Sequence, residues 1–250
     1  MARLIMRPLG CGGWVSDPVL GPPSLLLEAG ELRLLVDAGE GVYAALRRCG
    51  FEVADLDLVF VTHKHGDHAL GLPTLAMHAR RSGARLRVIG PSDLDLPSLF
   101  ALVGIPHYLE VLELNLLEPP SAPALAFEEG GVRIYVVAAD HTVPSLAFRV
   151  EVGSLAVAFS GDTRPCRSVV ELARSCKLLV HEVGGGLASE ELAHEHGHST
   201  LRDAVRIAVE AGVDYLMPFH FYLDPVALEC EGVKLVLPVP CAPVDVAKLP

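Results

Sequence analysis

The stretch that most constrains this chain is VFVTHKHGDHALG, residues 59–71, in which three histidines and an aspartate occupy six positions. The apolar, β-branched run before them predicts a buried strand that ends at the cluster. Residues two apart in an extended segment point the same way, so His63 and His65 can meet one ion. The glycine that follows lets the backbone turn, so that Asp67 and His68 face a second ion beside the first. The stretch therefore predicts a metal site at the end of a buried strand.

Four side chains cannot saturate two ions, so further ligands must come from elsewhere in the chain. Three later segments supply them, each at the end of an apolar run: His141 after IYVVAAD, Asp162 after LAVAFSG and His220 after YLMPF. Strand ends are where functional sites are usually assembled. We predict that one ion is held by His63, His65, His141 and a bridging Asp162, and the other by Asp67, His68, His220 and the same bridge.

The rest of the chain alternates apolar runs with helical patterns. RLIMRPLG, SLLLEAG and LRLLVDAG predict early strands, and GVYAALRRCG, ALGLPTLAMHARRSG, CRSVVELARS and STLRDAVRIAVEAG predict helices. The proline-rich stretch EPPSAPALAFEEGG predicts a turn-like seam between two halves, about 1–118 and 119–250, of one domain that covers 1–250. Two mixed sheets that face each other with helices outside suit this order of elements.

Composition narrows the class of function. The formal net charge of −11 argues against a protein that grips nucleic acid through a broad basic face. No apolar run reaches the roughly eighteen residues of a membrane span, and the first residues do not resemble a signal peptide. We therefore predict a cytoplasmic protein. The six cysteines contain no C-x-x-C pair, which argues against a cysteine zinc site and predicts buried thiols for most of them.

Amide side chains are almost missing from the sequence. There is no glutamine, and Asn115 is the single asparagine. Loss of these thermolabile residues is typical of a thermophile, although GC-rich coding gives the same bias.

The motifs resemble those of the metallo-β-lactamase superfamily, whose H-x-H-x-D-H signature matches THKHGDH, and more closely those of ribonuclease Z. The segments similar to that branch are DAGEG (37–41), DHTVPSLAFR (140–149), FSGDT (159–163), HE (181–182) and GHST (197–200). The resemblance implies an α/β fold, the four-layer αβ/βα sandwich with two mixed sheets flanked by helices. It also implies two divalent metal ions, zinc first with manganese or iron as alternatives, and a homodimer.

The chemistry that the resemblance implies is hydrolysis of a phosphodiester, because two ions activate water and neutralise phosphate oxygens. Asp67 would orient the nucleophile and take its proton. His198 would be the acid for the leaving oxygen, and Glu182 would hold its ring in orientation. Each of the latter two has a simpler alternative, since Glu182 can be an ordinary charge at a loop edge and His198 can merely precede a helix cap.

The other histidines are expected to take no part in the reaction. His181 is expected to be structural, and His194 and His196, in HEHGH, are expected to lie in a solvated loop. His78 and His107 receive no role.

Two features depart from ribonuclease Z. Only twenty residues separate His141 from Asp162, an interval in which the family carries a long arm that grips transfer RNA, and HEVGGG replaces the family's HEAT. We therefore expect a phosphodiesterase with small phosphodiesters, nucleotides or single-stranded RNA as substrates and no membrane partner. The alternatives are a transfer-RNA 3′ endoribonuclease, a lactone or ester hydrolase, and a non-catalytic metal-binding protein.

Overall fold

The computed structural model describes residues 3–14, 18–186, 189–221 and 230–250. Its strands are β1 (Leu4–Gly10), β2 (Ser24–Ala29), β3 (Leu32–Val36), β4 (Leu58–Phe60), β5 (Leu86–Pro91), β6 (Leu112–Leu117), β7 (Ala124–Glu129), β8 (Val132–Ala139), β9 (Ser145–Val152), β10 (Leu155–Phe159), β11 (Leu178–Glu182), β12 (Tyr215–Phe219), β13 (Lys234–Leu235) and β14 (Val244–Asp245). Its helices are α1 (Val42–Arg48), α2 (Gly66–Ala69), α3 (Leu72–Ser82), α4 (Leu96–Leu102), α5 (Arg167–Ala173), α6 (Glu190–Glu195) and α7 (Leu201–Ala211). None of these helices is long and apolar enough to cross a membrane.

The described strands form two mixed sheets of seven strands each. The first has the order β14-β1-β2-β3-β4-β5-β6, and the second has the order β13-β12-β11-β10-β9-β8-β7. Strands β3 to β6 pair in parallel in the first sheet, as β10 to β13 do in the second. The remaining pairs are antiparallel. Each parallel half sends the carboxyl ends of its strands to one edge, where the side chains that follow them can meet.

Alternation along the strands sorts apolar side chains into separate layers. Leu25 and Leu27 of β2 pack in the inner core between the two sheets, whereas Leu26 packs in an outer core beneath α1 and α3. The rings of Phe60 and Phe148, one from each sheet, meet in the inner core with their centroids 4.1 Å apart. A third core lies between the second sheet and α5 and α7. Helices, sheet, sheet and helices thus form four layers, and the predicted αβ/βα sandwich is confirmed.

The proline-rich stretch predicted to be a turn-like seam contains a strand, so that part of the prediction is wrong. β7 pairs antiparallel with β8 and is the edge strand of the second sheet. The three prolines of the stretch precede β7 and none lies within it, so every residue of the strand keeps a backbone amide for pairing. The chain does pass from the first sheet to the second between β6 and β7, whereas β14 returns to the first sheet. The assignment of residues 1–250 to one domain stays a prediction.

The cysteines only partly meet the expectation of buried thiols. Cys11 and Cys176 are buried, but Cys49 and Cys241 form a disulfide across 192 residues of sequence. The pairing of β14 with β1 explains their proximity, because it brings the C-terminal segment beside α1; the Cys241 amide also donates to the Pro8 carbonyl at 2.8 Å. No pattern in the sequence indicates this pairing.

Candidate metal centre

The turn after β4 carries the histidine cluster. His65 is the residue before α2, and Asp67 and His68 lie within that short helix. The turn after β3 packs directly against it, since the Ala38 amide donates to the His68 carbonyl at 2.7 Å. A Cβ atom added at Gly39 would lie 1.7 Å from the Asp67 carbonyl oxygen, so only glycine fits at that position. The two turns therefore hold each other in place.

Three histidines form the first group of ligand atoms. Nε2 of His63 lies 3.1 Å, and Nε2 of His141 lies 3.2 Å, from Nδ1 of His65. Burial lowers the pKa of all three imidazoles, and His63 is fully buried. Nδ1 of His141 donates to the Gly197 carbonyl at 2.8 Å, and Nδ1 of His63 lies 3.0 Å from the Thr62 hydroxyl. Neutral rings held by their outer nitrogens are suitable metal ligands.

Two carboxylates and two histidines form the second group. Oδ2 of Asp67 lies 3.2 Å from Nε2 of both His68 and His220. Oδ2 of Asp162 lies 3.5 Å from Nε2 of His68 and 3.3 Å from Nε2 of His220. The same oxygen lies 3.7 Å from Nε2 of His63, which belongs to the first group. Asp162 is therefore the side chain that links the two groups.

The electrostatics of the second group favour positive charge. Burial favours the neutral form of both aspartates, but contacts with His68 and His220 outweigh it and lower the pKa of Asp67 and Asp162. Burial would likewise lower the pKa of the two histidines, but the carboxylate of Asp162 outweighs it and raises both. The two ionised carboxylates therefore favour positive charge between the facing atoms, and a metal ion that binds there would displace the protons of the histidines.

The distances between the facing atoms fit one metal ion bound by each of the two groups. Ligand atoms bound to one zinc ion at about 2.0–2.1 Å in tetrahedral geometry lie about 3.3 Å apart. The separations of 3.1 to 3.7 Å between the facing atoms match that value. Nε2 of His68 is buried and makes no hydrogen bond, although such atoms are nearly always satisfied. An ion between the facing atoms would satisfy it.

Asp37 supports the centre from behind, and the sequence reasoning gave it no role. Its Oδ2 accepts from Nδ1 of His68 at 2.8 Å, and its Oδ1 accepts from the Thr62 amide at 2.7 Å. Both hydrogen bonds are buried. A carboxylate on the outer nitrogen of a ligating histidine fixes its tautomer and makes it a better ligand. The available signal was the position of Asp37 at the end of the apolar run LRLLV, like that of the predicted ligands.

Glu182 is an anchor at the carboxyl end of β11. Its Oε1 accepts from the amides of Thr163 and Ser199, both at 3.0 Å, and lies 3.1 Å from Nδ1 of His198. Its Oε2 accepts from the Gly184 amide at 2.6 Å. Although oxygen and nitrogen atoms of Glu182, His198 and His220 could also surround an ion, the oxygens of Glu182 are already occupied by these donors. The expected pairing of Glu182 with His198 is present.

The contact with Glu182 determines the charge of His198. Burial would lower the pKa of this imidazole, but the hydrogen bond and the negative charge of Glu182 raise it to about 9. The ring also lies beside the second group, since its Nδ1 is 3.9 Å from Oδ2 of Asp162. His198 is therefore a protonated group at neutral pH beside the candidate metal centre.

Of the three remaining histidines near the centre, His194 lies in surroundings different from those expected. His194 lies on α6 and its Nε2 is 2.9 Å from Oδ2 of Asp203, so the prediction of a solvated loop is wrong for it. His196 follows α6 and lines the same cleft as His198. His181 is fully buried in β11, as expected of a structural residue. Among the described residues, none of the groups that could hold an ion includes these three.

A cleft of about 710 Å³ opens onto the centre. It is lined by Trp14, His65, Gly66, Asp67, Asp162, Gly184, Gly185, Leu192, Ala193, His196, His198 and His220. A volume of this size is ordinary for a small-molecule site. The interval between His141 and Asp162, all of it described, contains β9, a two-residue turn and β10, with three residues before β9 and two after β10, so no long insertion protrudes there.

Comparison with known proteins agrees with this geometry. Residues 32–221 match the model of the β-lactamase superfamily domain. Ribonuclease Z of Methanopyrus kandleri is 30% identical, over 95% of this chain and 94% of that protein. The human tRNase Z short form superposes with a TM-score of 0.82 at 22% identity, over 97% of this chain and 99% of that one. A diphosphatase of the PhnP family superposes with a TM-score of 0.75 at 19% identity, over 98% of both chains.

The similarity to the two solved structures shows the fold. The match to the domain model and the similarity to the Methanopyrus protein show the family. The alignment with that relative is 277 residues long, more than the 250 residues of this chain, so the relative contains segments that have no counterpart here. The chain belongs to the β-lactamase superfamily, within its ribonuclease Z-like branch.

Proposed function

We propose that the protein is a two-metal phosphodiesterase that hydrolyses small or single-stranded phosphodiesters. Its family makes it a metal-dependent hydrolase. The narrower proposal rests on one observation, the position of the Glu182–His198 pair beside two groups of ligand atoms that share Asp162. A proton donor next to such a centre is what cleavage of a phosphodiester needs.

Two ions bound by the seven side chains would lower the pKa of water and withdraw charge from the phosphate oxygens. Asp67 would orient the attacking water and accept its proton. His198 would give a proton to the leaving oxygen as the phosphorus–oxygen bond breaks, because the hydrogen bond and the negative charge of Glu182 favour its protonated form. Glu182 occupies Nδ1 of that ring, so Nε2 would be the donor. The products are a phosphomonoester and an alcohol.

Zinc is the proposed metal. Imidazole nitrogens and carboxylate oxygens, with no cysteine, make up both groups. This donor set is common for zinc, and it also accepts manganese or iron.

Small substrates are favoured by the surroundings of the centre. The β9–β10 hairpin ends in a two-residue turn, and the chain has a formal net charge of −11. A long RNA requires a basic surface away from the reacting phosphate, whereas a small phosphodiester needs the centre and the cleft alone.

Transfer-RNA 3′ processing is the second candidate, and the name of the Methanopyrus relative favours it. It would require that a partner subunit or another surface grip the substrate. A lactone or ester hydrolase and a non-catalytic metal protein remain as alternatives, but neither accounts for a charged His198 held by Glu182.

A homodimer, a cytoplasmic location and a thermophilic source are further proposals, which rest on the resemblance and the composition. Light scattering of the purified protein would test the dimer, and a midpoint of thermal unfolding well above 65 °C would support the thermophile.

The proposal is tested by comparing substrates with the zinc-loaded protein. We expect hydrolysis of bis-p-nitrophenyl phosphate that stops when a chelator removes the metal, and little turnover of a panel of lactones. The reverse preference would make the protein an ester hydrolase. No turnover of either class by fully loaded protein would favour the non-catalytic alternative.

A further inference from the structure

The cleft contains an aromatic side chain that the reaction does not use. Trp14 is the single tryptophan of the chain, and it lines the cleft together with Asp67 and His198. Its side chain is 65% exposed, so it contributes little to any core. An indole is normally buried for most of its surface, which makes an exposed one beside a reaction centre a candidate for contact with a ligand.

The backbone before Trp14 is fixed to the metal centre. The Gly13 amide donates to the Phe221 carbonyl at 2.8 Å, next to His220. A Cβ atom added at Gly13 would lie 3.2 Å from Cε1 of His220, so the chain passes almost against that ring. The backbone next to Trp14 is therefore held against the end of β12, the strand that His220 follows.

The cleft has a second apolar element. Leu192 of α6 is 48% exposed and lines the cleft with Ala193 and His196. The cleft thus places exposed apolar side chains beside the ligand atoms, and metal ions held by those atoms would attract a phosphate. A flat, apolar group joined to a phosphodiester matches both parts, and a nucleoside is the common group of this kind. Every base has a π-face that stacks on an aromatic side chain.

We propose that Trp14 stacks on a base of the substrate and makes the centre selective for nucleoside phosphodiesters. This inference rests on the proposed phosphodiesterase activity. Trp14 is a residue that determines specificity, since it would touch the substrate away from the reacting atoms.

Two substrates with the same leaving group test the selectivity: thymidine 5′-p-nitrophenyl phosphate and methyl p-nitrophenyl phosphate. Stacking is worth roughly 1–3 kcal/mol per base, which corresponds to about 5- to 150-fold in affinity. W14A should therefore reduce the preference for the nucleoside substrate by roughly this factor, mainly through KM, and W14F should restore most of it. Leu102→Ala, which alters an exposed apolar residue on α4, should leave the preference unchanged.

Binding gives a second test that does not depend on turnover. Because Trp14 is the sole tryptophan, quenching of its emission reports directly on stacking in the zinc-loaded protein. Adenosine 5′-monophosphate should quench it and bind more tightly than ribose 5-phosphate, which has the same sugar and phosphate but a hydroxyl in place of the base. Equal binding without quenching would overturn the role of Trp14, as would an unchanged preference in W14A. Failure of hydrolysis with both chromogenic substrates would instead reject the proposed activity.

Discussion

Oδ2 of Asp37 accepts a hydrogen bond from Nδ1 of His68 at 2.8 Å, and the outer nitrogen of a candidate ligand is thereby held by a carboxylate. The same side chain binds the Thr62 amide at 2.7 Å, so it joins the turn after β3 to the histidine turn. Through this contact, the end of one strand positions a ligand carried by the next.

Asp37→Asn should weaken metal binding, because an amide is a poorer acceptor and does not fix the tautomer of His68. We expect a loss of roughly 10- to 100-fold in affinity for zinc, measured by competition with a chromogenic chelator. Asp57→Asn is the matched control, since Asp57 Oδ2 accepts from the Arg33 amide at 2.8 Å. Equal affinity in D37N and wild type would show that Asp37 only shapes the turn.

His198→Ala separates binding from catalysis. The imidazole is held by Glu182 and belongs to neither group of predicted ligands, so the metal content should not change. Turnover of bis-p-nitrophenyl phosphate should fall roughly 10²- to 10⁴-fold, which is the usual contribution of a general acid or base. His196→Ala, in the same cleft, should retain turnover within a few-fold. If H198A keeps wild-type turnover, the proton donor is another group.

Asp203→Asn tests the buried hydrogen bonds that join α6, which lines the cleft, to the start of α7. Asp203 is fully buried and its Oδ2 accepts from the Thr200 amide at 2.9 Å, the Thr200 hydroxyl at 2.8 Å and Nε2 of His194 at 2.9 Å. Burial alone would raise its pKa, but the hydrogen bonds from Thr200 and His194 lower it. We expect D203N to lower the free energy of unfolding by about 2–3 kcal/mol at neutral pH.

The sign of the pH dependence follows from the lowered pKa of Asp203. Its contribution is complete above the pKa of an unfolded aspartate and is lost as the pH falls through the lower value in the folded protein. The difference between wild type and D203N in urea unfolding should therefore be largest at neutral pH and shrink below about pH 4. Asp214→Asn, at a 60% exposed surface pair with Lys177, should change stability by less than about 1 kcal/mol. A constant difference between wild type and D203N at all pH values would contradict the assignment.

Much of this architecture could be predicted because the end of a buried strand is visible in the local sequence, as an apolar run followed by polar residues. Each predicted ligand follows an apolar run, and the structure brings all seven together. Elements at the edges are harder to predict, because their packing is one-sided. β7 has no fully buried residue, and α6 is short and highly charged. The Cys49–Cys241 disulfide and the contact between Asp37 and His68 depend on how distant segments pack, which periodicity does not contain.

Precursor transfer RNA should be a poor substrate. A folded RNA must be positioned by contacts far from the reacting phosphate, and poor positioning alone costs orders of magnitude in rate. The short hairpin between His141 and Asp162 offers no such contact. We expect weak cleavage at several sites, whereas hydrolysis of small phosphodiesters should depend only weakly on salt. Efficient cleavage at the single 3′ site by the purified protein would promote transfer-RNA processing to the leading function.

The most direct test of the two-metal account is titration of metal-free protein with zinc while hydrolysis of bis-p-nitrophenyl phosphate is followed. Because Asp162 lies within reach of both groups of ligand atoms, we predict that activity rises to a plateau near two equivalents per chain and that Asp162→Ala does not reach it. Full activity in the metal-free protein, or a plateau at one equivalent, would contradict the account.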